Sequence, residues 1–356
     1  MEDLELSSAF WNNKRVLVTG HTGFKGGWLS IWLQRLGANV AGFALPAATE
    51  PSLFALANVA DGLRSETGDI RDLERVSELV IDFRPEIIIH MAAQALVRPS
   101  YADPVETYAT NVMGTVNILE AARNCDAVQA IVNVTTDKCY ENLERDEGYR
   151  ENEPLGGHDP YSSSKGCAEL VTSSYRRSFA LNVASARAGN VIGGGDWAED
   201  RLLPDMMRSF MSGEPGSIRN PASTRPWQHV LEPLHGYLLL AQRLYENNSD
   251  YAEAWNFGPD DEDAKPVDWL ADRVVSLWGE SASWANTSVP DQLHEAGFLR
   301  LNCDKAKERL GWQPRMSLEQ ALSWTVDWYR SFQRGDDVRA LTERQISDYE
   351  NNKDLS

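Results

Sequence analysis

The segment Arg15-Val-Leu-Val-Thr-Gly-His-Thr-Gly-Phe-Lys-Gly26 joins a short apolar run to a glycine-rich turn. Its glycines, Gly20, Gly23 and Gly26, stand at GxxGxxG spacing, and a helix-like stretch follows them. A strand, a tight glycine turn and a helix in this order let the backbone approach a pyrophosphate. The N–H groups and the positive dipole end of the helix then hold the phosphates. We therefore predict that this segment is the first β-α unit of a dinucleotide-binding sheet.

The alternation of strand and helix continues through the first half of the sequence. The predicted strands are Arg15–Thr19, Asn39–Leu45, Glu86–His90, Ala130–Thr135 and Val183–Arg187. The predicted helices between them include Gly26–Leu36, Leu73–Phe83, Pro104–Ala122 and Tyr161–Phe179. Strands that are apolar throughout indicate burial on both faces, so the pattern predicts an α/β fold with a doubly wound parallel-sheet Rossmann domain.

The second half of the sequence loses this regularity. Gly193–Trp197 and Asn220–Pro226 are predicted loops, Trp255–Gly258 is predicted to end a late strand that returns to the sheet, and residues 261–340 favour helices. We predict a discontinuous Rossmann domain at 1–190 and 228–260. A smaller mixed, helix-rich substrate lobe is predicted at 191–227 and 261–345, and the polar residues after about 340 are predicted to be a low-complexity tail.

The composition limits the classes of function. The 356 residues carry 34 Lys and Arg against 53 Asp and Glu, a formal net charge of −19, which argues against nucleic acid and anionic membranes as partners. Because no run of 18 apolar residues is present and the first residues are acidic, we expect neither a membrane span nor a signal peptide. The 4 cysteines and 6 histidines are dispersed, which predicts no metal site, no disulfide framework and a cytoplasmic location.

The sequence favours NAD over NADP. The second predicted strand ends in Ala44-Leu-Pro46, without the carboxylate that usually binds the ribose, and no Lys or Arg lies between Leu36 and Leu63 to hold a 2′-phosphate. Because a cation is missing there, we predict NAD. Lys25 inside the glycine turn keeps NADP as an alternative.

A candidate redox pair lies in Asp159-Pro-Tyr-Ser-Ser-Ser-Lys165. If Pro160 stands in the first turn of a helix, Tyr161 and Lys165 share one face, and a nearby ammonium favours the phenolate. A tyrosine in that state takes the proton of a substrate alcohol while a hydride leaves for a nicotinamide. The pair therefore predicts oxidation of an alcohol.

A second group of ionisable side chains lies in Thr135-Thr-Asp-Lys-Cys-Tyr140, where the predicted strand Ala130–Thr135 ends, at the sheet edge where open α/β folds bind ligands. Alcohol oxidation alone does not need both Asp137 and Lys138. Two further groups suit an elimination, in which one removes a carbon-bound proton and the other protonates the departing hydroxyl.

These motifs together resemble the extended short-chain dehydrogenase/reductases. The resemblance covers nearly the whole chain and is carried by the glycine turn, Gly68–Asp72, His90–Gln94, Asn111–Thr115 and Tyr161–Lys165. It implies that Asp69 contacts the adenine, that Ala92 and Ala93 lie along the cofactor, and that Thr136 completes a triad with Tyr161 and Lys165. The full implied set of cofactor-binding residues is Gly20, Thr22, Gly23, Phe24, Lys25, Gly26, Asp69, Ile70, Ala92, Ala93, Gln94, Asn111, Thr135, Tyr161 and Lys165.

Within that family the chain is similar to the sugar nucleotide 4,6-dehydratases, which carry Thr-Asp-Glu where this sequence has Thr136-Asp-Lys138. The lysine is typical of the CDP-glucose 4,6-dehydratases, as are the strings Tyr149–Pro154, Ala188–Trp197, Arg225–His229 and Trp255–Pro259. This resemblance implies CDP-D-glucose as the substrate and a closed redox cycle. The cycle oxidises C4, removes water across C5 and C6, and returns the hydride to C6 to give CDP-4-keto-6-deoxy-D-glucose.

The resemblance also implies roles for individual residues. Asp137 matches the acid of the dehydratases, and Lys138 stands in the position of their base. A lysine is a base only when it is neutral; if protonated, Lys138 would instead hold Asp137 or stabilise an enolate, and another group would be the base. Substrate contacts are implied for Asn190, Arg201, Arg225 and Trp227, with Arg225 gripping the diphosphate.

Two alternative functions stay open on the sequence. One is a nucleotide-sugar 4-epimerase, or a dehydratase for a different nucleotide sugar, although an epimerase has no water to expel. The other is a protein that binds NAD and a nucleotide sugar without turnover. Because the predicted helices Pro104–Ala122 and Tyr161–Phe179 match those through which the family dimerises, we expect a homodimer or homotetramer. The resembling enzymes supply deoxysugars to bacterial surface polysaccharides such as lipopolysaccharide.

Overall fold

A computed structural model describes residues 6–279, 282–288 and 298–351. The acidic residues 1–5, which carry the prediction of no signal peptide, lie outside this part. The strands are β1 Arg15–Thr19, β2 Asn39–Ala44, β3 Arg64–Thr67, β4 Ile87–His90, β5 Ala130–Val134, β6 Val183–Arg187, β7 Val191–Ile192, β8 Gly216–Ile218, β9 Thr224–Pro226, β10 Gln228–His229, β11 Ala254–Asn256, β12 Ala264–Pro266 and β13 Trp284–Asn286.

The α-helices cover both faces of the main sheet and form much of the second lobe. They are α1 Ser8–Trp11, α2 Phe24–Arg35, α3 Leu53–Leu56, α4 Leu73–Phe83, α5 Val97–Ala102, α6 Pro104–Tyr108, α7 Gly114–Arg123, α8 Pro160–Phe179, α9 Leu202–Met211, α10 Leu231–Asn247, α11 Val267–Trp278, α12 Leu318–Arg334 and α13 Val338–Glu350. Short 3₁₀ turns cover Asp137–Cys139, Asn248–Tyr251 and Asp261–Asp263, and π turns cover Ala109–Met113 and Ala306–Leu310.

The main sheet confirms the predicted doubly wound α/β fold. Its seven strands are parallel and lie in the order β11-β6-β5-β4-β1-β2-β3. The central strand β1 pairs on both sides, with Leu17 opposite Ile88 on β4 and Ala41 on β2. The strand order reverses between β1 and β4, and such a switch point opens a crevice at the carboxyl ends of the strands. The functional residues predicted from the sequence follow these ends.

The predicted strands and helices hold with small changes at their ends. β1, β6 and α4 have the predicted bounds, and β11 is the late strand that returns to the sheet beside β6. The sequence missed β3, because Arg64–Thr67 is a polar, largely exposed edge strand without an apolar pattern. The helix predicted over 104–122 is three pieces, since the π turn Ala109–Met113 separates α6 from α7.

The prediction of a low-complexity tail after residue 340 is wrong. Helix α13 covers Val338–Glu350, and its Ile346 and Tyr349 are fully buried. Trp32 Nε1 on α2 donates a hydrogen bond to Glu350 Oε1 at 2.7 Å, and Tyr349 Oη donates to Glu232 Oε2 at 2.9 Å. The polar composition hid an apolar stripe at helical spacing, which packs against the first helix of the sheet.

The region after β6 contributes smaller elements beside the sheet. β7 pairs with β10, β9 pairs antiparallel with β12, and β8 pairs with β13. These short pairs hold the segment 189–227, which includes α9, at the carboxyl edge of the sheet. The division into two lobes at 1–190 and 228–260 against 191–227 and 261–345 stays a prediction. Within the described ranges, no helix is long and apolar enough to cross a bilayer.

Candidate active site

A cavity of about 610 Å³ opens at the carboxyl edge of the sheet. It extends from the glycine turn, past the end of β5, to the loops around Asn190 and Arg225. Nearly all the residues predicted for the site line it: Gly20, Thr22, Gly23, Phe24, Lys25, Gly26, Asp69, Ile70, Ala92, Ala93, Thr135, Thr136, Asp137, Lys138, Tyr161, Lys165, Asn190, Arg201, Arg225 and Trp227. The fold therefore brings residues from distant parts of the sequence to one concave surface.

The glycine turn has the close approaches that a dinucleotide requires. Gly20 has a φ of +80°, and a Cβ there would stand 2.9 Å from the backbone nitrogen of Ala92. A Cβ on Gly26 would stand only 2.1 Å from Gly20 O. Gly23 is the N-cap of α2 and offers no side-chain cap, so the first amides of this helix face the cavity side of the turn. The turn fits the pyrophosphate of a dinucleotide.

Lys25 belongs to the interior of the site. Burial is the main reason that its pKa falls to about 7; Arg201 and Lys165 lower it further, whereas Asp137 and Asp196 oppose the change. Its ammonium lies 5.8 Å from the centre of the Tyr237 ring. These neighbours lie at the reactive end of the cavity, away from Ala44, Leu45 and Pro46 at the ribose end. Lys25 therefore offers no support for a 2′-phosphate.

Tyr161 and Lys165 stand one turn apart near the start of α8, as the sequence predicts. Burial raises the pKa of Tyr161 to about 12, Asp137 raises it too, and a hydrogen bond with Thr136 and the charge of Arg201 lower it. Lys165 Nζ donates to the carbonyl of Val134 at 3.2 Å. Burial lowers the Lys165 pKa to about 8, with Glu169 opposing. The sequence predicted a phenolate favoured by the lysine, but burial is the dominant influence on this tyrosine.

Asp137 and Lys138 lie in a 3₁₀ turn that begins beside Thr136. The Thr136 hydroxyl accepts a bond from Lys138 N at 3.3 Å and donates to Asp137 Oδ1 at 2.9 Å. Asp137 is only 2% exposed, and its carboxylate packs against the backbone of Gly189. Lys138 is partly exposed in the cavity wall. This turn places a carboxylate and an amine on the same cavity as Tyr161.

The sequence model of one protein family matches most of the chain. The match is to GDP-mannose 4,6 dehydratase and covers residues 17–325. The chain belongs to this family.

Several relatives in and near this dehydratase family are similar over most of their length. The CDP-glucose 4,6-dehydratase of Salmonella typhimurium is 54% identical over 349 residues, which cover 96% of this chain and 97% of the relative. The structure of the dTDP-glucose 4,6-dehydratase DesIV of Streptomyces venezuelae with NAD and TYD has a TM-score of 0.76 and 25% identity, covering 90% of this chain and 98% of that one. The UDP-glucose 4-epimerase of Thermus thermophilus with NAD has a TM-score of 0.77 and 26% identity, covering 89% and 99%.

Two residues predicted for the cofactor set of this family member do not line the cavity. Asn111 is 2% exposed, and its amide donates to Gln94 O at 3.0 Å and to Ser164 Oγ at 2.8 Å. Gln94 N donates in return to Asn111 Oδ1 at 2.8 Å. The Asn111 side chain therefore joins the backbone of the loop after β4 to Ser164 on α8, behind the cavity wall. It supports the helix on which Tyr161 stands.

Two arginines of the dehydratase chain were missed by sequence reasoning. Arg98 and Arg219 both line the cavity, and both pair with Asp200, at 3.5 Å and 2.8 Å. Arg201, which was predicted, pairs with Asp196 at 3.0 Å. The signal for Arg98 was its position shortly after the His90–Gln94 string, at the start of α5. Arg219 follows β8, a strand too short to predict.

Proposed function

We propose that the protein is a CDP-D-glucose 4,6-dehydratase, a lyase that uses NAD as a cofactor. The observation that carries the proposal is that Asp137 and Lys138 line the same cavity as Thr136, Tyr161 and Lys165. Thr136, Tyr161 and Lys165 suit an alcohol oxidation. Asp137 and Lys138 suit the loss of water. The identity of 54% with the CDP-glucose enzyme of Salmonella typhimurium supports cytidine as the nucleotide.

In the first step Tyr161 takes the proton of the C4 hydroxyl. The Thr136 hydroxyl, which donates to Asp137, accepts a hydrogen bond from Tyr161, and the positive charge of Arg201 favours the phenolate against the effect of burial. NAD, when bound, supplies the acceptor for the C4 hydride and the donor that later returns it to C6. The glycine turn and the Asp69, Ala92 and Ala93 surface would hold it.

In the second step water leaves across C5 and C6. The ketone at C4 acidifies the C5 proton, which Lys138 removes, while Asp137, acting as a carboxylic acid, gives its proton to the departing C6 hydroxyl. Asp137 is held by the Thr136 hydroxyl and by Gly189, so its position relative to the sugar is fixed. CDP-4-keto-6-deoxy-D-glucose is complete once C6 has regained the hydride and the proton removed by Lys138 has returned to C5.

Cationic side chains account for the binding of an anionic substrate by a chain with a net charge of −19. The guanidinium groups at the substrate end of the cavity provide forked donors for a diphosphate, with Arg225 as the predicted contact. The basic side chains that line the cavity are Lys25, Arg98, Lys138, Lys165, Arg201, Arg219 and Arg225. Binding depends on this local field rather than on the total charge.

We also propose that two copies associate through α6, the π turn and α8. Large apolar side chains are exposed there, including Val105 at 78%, Met113 at 52% and Leu170 at 61%. A patch of this kind on adjacent helices suits a second copy of the chain. A cytoplasmic location and deoxysugar supply to a bacterial surface polysaccharide such as lipopolysaccharide complete the proposal.

Turnover of purified nucleotide sugars tests this function. The NAD-loaded protein is incubated with CDP-glucose, and in parallel with the UDP, dTDP and GDP analogues, and the 4-keto-6-deoxy product is detected by its near-ultraviolet absorbance in base. We expect product with CDP-glucose. Product with another nucleotide alone contradicts the cytidine assignment, and conversion to the C4 epimer without loss of water contradicts the lyase assignment.

A further inference from the structure

An ion pair that the reaction does not use is buried behind the active site. Glu169 Oε2 on α8 lies 2.7 Å from Arg187 Nη2 on β6, and both side chains are 3% exposed. Burying two charges costs desolvation energy, and apolar residues of similar size often stabilise a fold as well. The contacts of the pair indicate what else it does.

The carboxylate of Glu169 holds the end of β5. Thr135 Oγ1 donates to Glu169 Oε1 at 2.5 Å, and Ser185 Oγ donates to Glu169 Oε2 at 2.7 Å. Both oxygens of the carboxylate are therefore bonded. Thr135 directly precedes Thr136 and Asp137.

The guanidinium of Arg187 holds the other end of the same segment. Arg187 Nη1 donates to Tyr140 Oη at 2.7 Å and to the carbonyl of Glu151 at 3.1 Å. Tyr140 Oη in turn donates a hydrogen bond to Asn256 Oδ1 on β11 at 2.8 Å. Tyr140 directly follows the 3₁₀ turn Asp137–Cys139, and its ring is 1% exposed.

The pair therefore grips the residues on both sides of the Thr136–Cys139 segment. Helix α8 carries Glu169 two turns after Tyr161 and one turn after Lys165, so all three side chains lie along one face. Helix α8 thus carries both Tyr161 and Glu169, the residue that holds the Asp137–Cys139 turn.

We propose that Glu169 and Arg187 are positioning residues, which hold Thr135 and Tyr140 so that Asp137 and Lys138 meet the sugar while it is bound at Tyr161. This rests on the proposed function. A small shift of the Asp137–Cys139 turn should slow proton transfer at C5 and C6 more than oxidation at C4, because Tyr161 stays in place on α8.

Glu169 also places its negative charge near Lys165. Burial lowers the pKa of Lys165, which also faces the Cys139 thiol, and the charge of Glu169 opposes that change. Lys25 and His90 are the other ionisable groups that face this ammonium, since each has its own pKa lowered by it. Loss of the Glu169 charge should therefore make Lys165 lose its proton at lower pH.

The first test compares Tyr140→Phe with Tyr149→Phe in the NAD-loaded protein. The two tyrosines stack with ring centres 5.3 Å apart and are equally buried, but Tyr149 Oη bonds to Asn142 and Leu143 instead of the pair. We expect Tyr140→Phe to lower kcat roughly tenfold or more and to leave the KM for CDP-glucose within about twofold of the wild-type value. The rate of C5 proton exchange should decrease more than the rate of C4 oxidation. Tyr149→Phe should leave the ratio of C5 exchange to C4 oxidation unchanged. Equal ratios in the two variants would overturn the proposal.

The second test separates charge from shape at position 169. Because Lys165 should then lose its proton at lower pH, Glu169→Gln should move the alkaline limb of the pH profile of kcat to lower pH by about one unit. Glu169→Asp keeps the charge and should leave this limb near the wild-type position. Because a lone buried Arg187 can prevent folding, Glu169→Gln is also combined with Arg187→Met, which removes both charges. An alkaline limb that does not move in either charge-removing variant contradicts the proposal. Wild-type protein that fails to convert CDP-glucose contradicts the proposed function instead, before any variant is compared.

Discussion

Asp137 Oδ2 and the α-carbon of Gly189 are in direct contact, so that a Cβ added to Gly189 would stand 2.0 Å from the carboxylate oxygen. Asp137 follows β5 and Gly189 follows β6, so the contact joins the ends of two neighbouring strands. The carboxylate therefore lies directly against the backbone of Gly189, in a space that only a residue without a side chain leaves open.

Gly189→Ala should displace Asp137 and stop the loss of water. We expect kcat for product formation to fall about 100-fold, because misplacement by about 1 Å costs that much in proton transfer. Oxidation at C4, measured as reduced nicotinamide, should persist. Gly258→Ala is the matched control, since its Cβ would meet only ordinary contacts at 3.5 Å. Equal losses of product in both variants would show that the contact does not matter.

Gly26→Ala should abolish binding of the dinucleotide. Its Cβ would stand 2.1 Å from Gly20 O, so the glycine turn must open. We expect the affinity for NAD, measured by titration calorimetry, to fall at least about 100-fold. Gly27→Ala serves as the control, because its Cβ would meet the flexible side chain of Leu53 at 2.9 Å rather than backbone. Unchanged affinity in Gly26→Ala would refute the role of this turn.

Lys138→Met should block exchange of the C5 proton with solvent while leaving oxidation at C4 intact. The thioether fills a similar volume but cannot accept a proton, so only the base is removed. Exchange is measured by NMR or mass spectrometry in deuterated water. If exchange persists and only the release of water is lost, Lys138 is not the base and acts on the departing hydroxyl or the enolate.

Stability should fall as the pH decreases from about 6.5 towards 4. Burial lowers the pKa of His21 to about 4 and of His90 and His229 to about 3, so the unfolded chain takes up these protons first. Each such group removes at most about 1.4 kcal/mol of the free energy of unfolding per pH unit. Glu232 acts oppositely between pH 7 and 4.5, because burial raises its pKa to about 7 and the folded chain binds that proton.

Urea unfolding at pH 7.5, 6 and 5 measures this dependence. Glu232→Gln removes the opposing contribution, so its stability should fall more steeply than that of the wild type over the same range. A free energy of unfolding that is constant, or that rises on acidification, is inconsistent with three neutral buried histidines.

Leu170→Asp should separate the proposed dimer. Leu170 is 61% exposed on α8, so an aspartate there does not disturb the core of one copy, but it would be buried without a partner between two copies. Sedimentation should show a dimer or larger for the wild type and a monomer for the variant. Leu143→Asp changes an equally exposed leucine, at 67%, away from these helices and should leave the assembly intact. A monomeric wild type rules out the interface.

Local sequence was sufficient where one element carries its own signal. β1 with the glycine turn, helix α4 and the Tyr161–Lys165 pair on α8 all follow from periodicity and short spacing, and the structure has them at or near the predicted bounds. β3 and α13 escaped prediction because their polar composition masks elements that are held by neighbours far away in the chain. The π turn at Ala109–Met113 has no local sequence pattern either. Its Asn111 bonds to Gln94 and Ser164, which lie in other parts of the chain.

The sequence by itself determined the order of the strands along the chain, the glycine turn and the identity of the reacting side chains, because these depend on neighbouring residues and on the chemistry of each group. Only the tertiary structure decided that Gly189 confines Asp137, that Lys25 faces the reactive end, and that Glu169 and Arg187 grip both sides of the Thr136–Cys139 turn. These relationships join residues from separate strands and helices. Close packing at the carboxyl edge of the sheet sets their distances, and no local pattern encodes them.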